Sequence, residues 1–146
     1  MCRIRLTGLF AGKKESGMHA MNNEKQYGGM LPILIDLSGR KVMVIGSGRA
    51  AGSLVCYLSH YTEDLTLLSS SPSEELKAMC AENDVRVLEK AYAREDLYGM
   101  DYVFCVSSSG QIRKDAAALC RTMGIRIYMQ GDPGRSDFIL EKGICE

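Results

Sequence analysis

The consecutive residues Gly46-Ser47-Gly48-Arg49-Ala50-Ala51 have the types and spacing to hold phosphate. In a GxGxxA pattern the first glycine permits a tight turn and the second lets the backbone approach a pyrophosphate. The small Ala51 then lets a helix pack closely on a strand. A helix opening at this point offers unpaired N–H groups and a partial positive charge to the phosphates. The preceding residues Val42-Met43-Val44-Ile45 form a continuous apolar run, as a strand buried on both faces requires. Strand, glycine turn and helix together read as a dinucleotide site. The competing reading is a glycine turn that only packs the helix.

Two other polar runs fall where the same ligand would reach. About 20 residues after the glycines many such folds carry an acid for the ribose hydroxyls, and here Ser69-Ser70-Ser71 stands instead. Ser70 and Ser71 can still bond a ribose, and no arginine stands there for a 2′-phosphate, so NAD is expected over NADP. The same missing acid counts against a methyltransferase using S-adenosylmethionine. Ser107-Ser108-Ser109-Gly110 either lines the nicotinamide side, with Ser107 and Ser108 as contacts, or caps the next helix. Gly131-Asp132-Pro133-Gly134 reads as turn chemistry. No metal site is expected, because His19 and His60 are far apart in sequence and pair with no cysteine.

These residues need strands and helices to position them. Leu31 to Asp36 is a short extended apolar run closed by the turn Ser38-Gly39. Strands are expected over Lys41–Ile45, Leu65–Leu68, Val85–Leu88, Tyr102–Val106 and Ile125–Met129, with a last one over Ser136–Leu140. Helices are expected from Arg49 to His60, from Ser73 to Glu82 behind a hydroxyl cap and two acids, and from Gln111 to Met123, closed by Gly124. Arg94 to Leu97 reads as a single helical turn. The alternation implies an α/β fold, a Rossmann-like doubly wound parallel sheet in one domain.

Bulk properties narrow the class further. The chain of 146 residues has room for one domain with a real core. Its 18 basic residues balance 18 acidic ones and are spread along the chain, so no field favours nucleic acid. No stretch reaches the roughly 18 apolar residues of a membrane span, and Met1 to Phe10 lacks a signal-peptide pattern. A cytoplasmic location is expected. None of the six cysteines forms a CxxC pair, and Cys56, Cys80, Cys105 and Cys120 sit in apolar segments, which reads as reduced thiols. Residues 1–29 lack lasting periodicity and read as a disordered arm, with the nucleotide domain over 30–146.

Taken together, the segments resemble one family, the precorrin-2 dehydrogenase and sirohydrochlorin ferrochelatase domain at the N-terminus of siroheme synthases. Its "LPIF-L-G" strand is similar to Leu31–Gly39, its "VVGGGxVA" to Val44–Ala51, its "FIxAATDD" to Tyr102–Ser109 and its "NVVDxPxxxDF" to Tyr128–Phe138. The resemblance implies oxidation of the tetrapyrrole precorrin-2 to sirohydrochlorin with NAD, and in many members insertion of ferrous iron. It implies that Gly46, Ser47, Gly48, Arg49 and Ala50 hold the pyrophosphate, that Ser70 and Ser71 face the ribose, and that Ser107 lies near the nicotinamide. The chain also departs from the family. Gly131 occupies the position of the family's catalytic or chelating acid; with a one-residue slip the resemblance implies Asp132 as the catalytic residue, and Tyr128 replaces the motif's asparagine. Ser108 and Ser109 replace two acids, and Ser53-Leu54 replaces a basic pair. Family members continue into a helical segment that dimerises and completes the tetrapyrrole cleft, and a chain ending at Glu146 is expected to lack it. A homodimer or a partner subunit is therefore expected, and a catalytically inactive nucleotide-binding module is the alternative reading.

Overall fold

The computed structural model describes residues 28–141. Most of the expected arm, with Cys2 and His19, lies outside the described residues, as does Cys145. The chain divides into two compact units, Met1–Asp36 and Leu37–Glu146. In the first, residues 30–36 form neither helix nor strand. Among the described residues, the second carries the sheet and the helices.

Five strands run in parallel: β1 (Lys41–Ile45), β2 (Asp64–Ser69), β3 (Arg86–Glu89), β4 (Tyr102–Cys105) and β5 (Arg126–Met129). Their order across the sheet is β3-β2-β1-β4-β5. The chain builds outward from β1 in one direction, then returns to add β4 on the other side of it. Helices α1 (Gly48–Leu58), α2 (Glu74–Glu82) and α3 (Gly110–Met123) connect the strands, and Arg94–Leu97 is a 3-10 turn, as expected.

The pleat divides the core into two layers. Val42 and Val44 of β1 face Ala51, Leu54, Val55 and Leu58 of α1 and Leu76 and Cys80 of α2. Met43 and Ile45, one residue out of phase, join Ala116, Leu119 and Cys120 of α3 on the opposite face, with Leu97 of the 3-10 turn. This alternation explains why β1 reads as continuously apolar: both of its faces are covered. Each such Leu or Val contributes roughly 1.5–3 kcal/mol on burial. Gly52 belongs to the first layer, where a Cβ would come within 3.2 Å of the Met79 sulfur, so α1 and α2 approach closely there.

Helix ends follow their residues. Ser73 caps α2, its hydroxyl accepting from the Leu76 amide at 3.1 Å. Gly124 closes α3 in the left-handed conformation, φ 74°, as its position after the apolar run implies.

The sixth expected strand, Ser136–Leu140, does not form. Pro133–Arg135 makes one 3-10 turn, and the residues after it satisfy the edge of β5 largely with side chains. The Met129 amide donates to Ser136 Oγ at 2.8 Å and the Ile127 amide to Asp137 Oδ2 at 2.8 Å, while the Asp137 amide returns a bond to the Ile127 carbonyl. Short polar side chains thus replace a backbone ladder and close an edge that would otherwise stay open to pairing. Phe138 then packs on Phe104 and Tyr128, at ring-centroid distances of 5.6 and 6.4 Å.

Candidate functional site

Because strand order reverses between β1 and β4, the loops leaving their carboxyl ends diverge and open a crevice, the usual ligand position in doubly wound sheets. Here a cleft of about 380 Å³ opens there, lined by the ends of β1, β2 and β4 and the loop after β3. The strand ends are tied together at its floor. The Gly46 amide donates to the Leu68 carbonyl at 3.1 Å and the Val106 amide to the Ile45 carbonyl at 2.9 Å.

The glycine turn is tightly specified. Gly46 has φ 145°, and a Cβ on it would lie 2.7 Å from Val106 Cγ2 and 3.1 Å from the Ser107 nitrogen. Only glycine fits at that point. Gly48 has φ 84° and meets nothing within 4 Å, so its bare face looks onto open space. Ser47 is the N-cap of α1, yet its side chain makes no capping bond. The first amides of this helix are therefore left without a side-chain acceptor of their own. Ala51 is fully buried against the sheet, as close helix packing requires.

Of the expected contacts, Gly46, Ser47, Ser70, Ser107 and Ser108 line the cleft together. Gly48, Arg49 and Ser71 are exposed, Ala50 is half-buried and Ala51 is in the core, and none of these five is a lining residue. Asp132 stands apart as well. Its Oδ1 accepts from the Arg135 amide at 3.2 Å and its Oδ2 pairs with Arg135 Nε at 3.2 Å, which is turn work at the end of β5. The serines after β4 serve both expected roles. Ser109 caps α3 by accepting from the Ile112 amide at 3.3 Å, Ser107 Oγ accepts from the Ser109 amide at 3.1 Å, and all three serines line the cleft. Arg113 holds this loop against β5, donating to the Ser107 carbonyl at 3.2 Å and the Gln130 carbonyl at 2.7 Å.

The structure adds Ser69, Lys90 and Tyr92 to the lining. The buried polar side chains of the described residues are Thr62, Thr66 and Ser69. Thr62 donates to the Arg40 carbonyl and Thr66 accepts from Arg86, whereas Ser69 Oγ, in a residue only 5% exposed, has no partner. Such an atom is costly unless something else satisfies it. Lys90 lies beside it, its amide donating to the Ser69 carbonyl at 3.2 Å and its ammonium pairing with Asp96 at 2.5 Å. Tyr92 donates its hydroxyl to Asp115 at 2.6 Å; burial first, and then that bond, hold its phenol above the ordinary range, so it stays protonated. No motif marks Lys90 or Tyr92 in the sequence. Ser69 stands in the sequence as the first residue of the Ser69-Ser70-Ser71 run, with no contact assigned to it.

No Asp or Glu lines the cleft. Among the described residues no three His, Cys, Asp or Glu side chains gather to hold a metal ion, and no helix is long and apolar enough to cross a membrane. Cys56, Cys80, Cys105 and Cys120 are free thiols, and burial pushes that of Cys120 up to about 12.

A family model described as "Putative NAD(P)-binding" matches residues 33–141. The chain belongs to this family. The Gly46 turn, the open face of Gly48 and the unpartnered Ser69 hydroxyl leave space and hydrogen-bonding capacity that fit an NAD(P) cofactor. Among curated proteins, the siroheme synthase of Gluconobacter oxydans is 27% identical over 125 residues, covering 83% of this chain and 26% of that protein. The "Probable multifunctional siroheme biosynthesis protein HemA" of Ruminiclostridium josui is 27% identical over 107 residues, covering 73% and 21%. This NAD(P)-binding chain thus spans about a quarter of the length of those relatives. Among solved structures, SirC, a precorrin-2 dehydrogenase, shares the fold with a TM-score of 0.59 at 23% identity, covering 70% of this chain and 52% of that one.

Proposed function

We propose that the chain is the nucleotide-binding part of a precorrin-2 dehydrogenase, oxidising precorrin-2 to sirohydrochlorin with NAD. The observation that carries the reading is the Gly46 turn, whose backbone seats against Val106 and Ser107 as no other residue could. The amides that open α1 have no side-chain cap there. Relatives named for siroheme synthesis supply the substrate class.

In this reading Gly46, Ser47 and Gly48 receive the pyrophosphate, with Arg49, Ala50 and Ala51 forming the first turn behind them. Ser70 and Ser71 stand on the ribose side. Ser107 and Ser108, braced by Arg113, orient the nicotinamide end. NAD, when bound, supplies the acceptor for a hydride from a tetrapyrrole ring carbon. Asp132 is the acid closest in sequence to the family's position, and it takes the proton that leaves the adjacent atom.

A second reading is favoured by one observation. Both oxygens of Asp132 are engaged with Arg135, and no carboxylate lines the cleft. A nucleotide-binding module that relies on a partner subunit, or on a second copy, for its acid fits that arrangement. The test is NAD reduction followed at 340 nm with precorrin-2, for the native chain and Asp132→Asn. The dehydrogenase reading expects turnover that falls about 100-fold in the variant, the scale of a general base. NAD binding without turnover would replace it with the second reading.

A further inference from the structure

We infer that the cleft also accepts NADP, with Lys90 as the residue that receives the 2′-phosphate; the inference rests on the nucleotide reading above and extends it to cofactor choice. The sequence alone argues for NAD because no arginine follows β2. The structure shows that the relevant cation comes from β3 instead. Lys90 is the first residue after that strand, its backbone is hydrogen-bonded to the Ser69 carbonyl, and both residues line the cleft with Ser70.

Discrimination against a 2′-phosphate ordinarily comes from a carboxylate at the end of β2, which binds the free ribose hydroxyls and repels the dianion. Here that end carries Ser69 and Ser70, and none of the residues lining the cleft is acidic. The only ionic group in the lining is the Lys90 ammonium. Its present partner, Asp96, is also engaged by the Ala93 amide at 2.9 Å, so the carboxylate keeps a donor when the lysine turns away. Lys90 is exposed and its flexible stem leaves it free to turn. Ser69 Oγ supplies the second point. It is unpartnered beside Lys90, and a hydroxyl serves a ribose oxygen or a phosphate oxygen equally, as donor or acceptor. A hydroxyl pair and one cation thus replace the usual acid, and nothing in the lining penalises the extra phosphate.

The experiment is calorimetric titration of the full chain with NAD and with NADP, for the native protein and for Lys90→Gln and Ser69→Ala, at low and at moderate salt. Native Kd values for the two cofactors are expected within about 10-fold of each other, with only the NADP value rising appreciably with salt. Lys90→Gln is expected to weaken NADP about 10-fold and NAD less than 2-fold, the loss of one charge-assisted contact. Ser69→Ala is expected to weaken both by a similar factor. NAD binding more than 100-fold tighter than NADP, or an equal loss of both in Lys90→Gln, would overturn the inference while leaving the nucleotide site intact. Binding of neither cofactor by folded native protein would overturn the nucleotide reading itself.

Discussion

Two serines stand at the openings of two helices beside the same cleft, and they behave differently. Ser109 caps α3 and its loop is knitted together by Ser107 and Arg113, so that helix end is satisfied by its own chain. Ser47 stands in the matching place before α1 and makes no capping bond, between two glycines with φ of 145° and 84°. Ser73, opening α2 away from the cleft, is capped like Ser109. Of the three helices among the described residues two are capped by serine, and the third, on a turn only glycine can make, is left open, as the proposed nucleotide site requires. The lesson is that a candidate binding end is marked less by its motif than by the local hydrogen bonds it forgoes.

Four substitutions sharpen this contrast. The largest effect belongs to Gly46→Ala, whose new Cβ meets the Ser107 backbone and Val106 side chain on a backbone that disfavours it. It is expected to cost about 2–4 kcal/mol of stability and to lower NAD affinity at least 100-fold, read by thermal melting and calorimetry. Gly48→Ala meets no atom within 4 Å, so only its positive φ opposes it. A stability cost of about 1 kcal/mol is expected, with NAD affinity down about 10-fold, because the methyl group would stand where the phosphate approaches. Equal tolerance at both glycines would break the comparison. The smallest effect separates the serines. Ser73→Ala is expected to cost about 1 kcal/mol in urea unfolding, as a lost cap does. Ser47→Ala, with no cap to lose, is expected to stay within about 0.5 kcal/mol of the native chain. A cost at Ser47 equal to that at Ser73 would show the helix end to be capped after all.

The five strands and three helices of the described residues were readable because their causes are local: short apolar runs for the buried strands, Ser73 and Gly124 for the helix ends, Gly46 and Gly48 for the turn. The boundaries shifted by one or two residues, as at α1, which begins at Gly48 and ends at Leu58. The false strand over Ser136–Leu140 has a different origin. Ser136 and Asp137 run beside β5 and bond its edge mostly through side chains, which a sequence pattern cannot distinguish from a backbone ladder. Lys90 escaped notice for a similar reason. Its place beside Ser69 depends on β3 pairing with β2, a contact between residues about 20 apart in the chain that no local spacing records. The Gly-Asp-Pro-Gly reading of a turn describes what Asp132 does in the structure, and its catalytic reading awaits the turnover test.

The central claim, that the cleft at the ends of β1, β2 and β4 is the nucleotide site, is tested most directly by titrating isotope-labelled protein with NAD and following backbone amide shifts by NMR. Saturable shifts concentrated at Gly46, Ser47, Gly48, Ser69 and Ser107 are predicted. Shifts concentrated instead in the basic groove of Lys114, Arg121 and Arg135, or none at millimolar NAD in the folded protein, would contradict it.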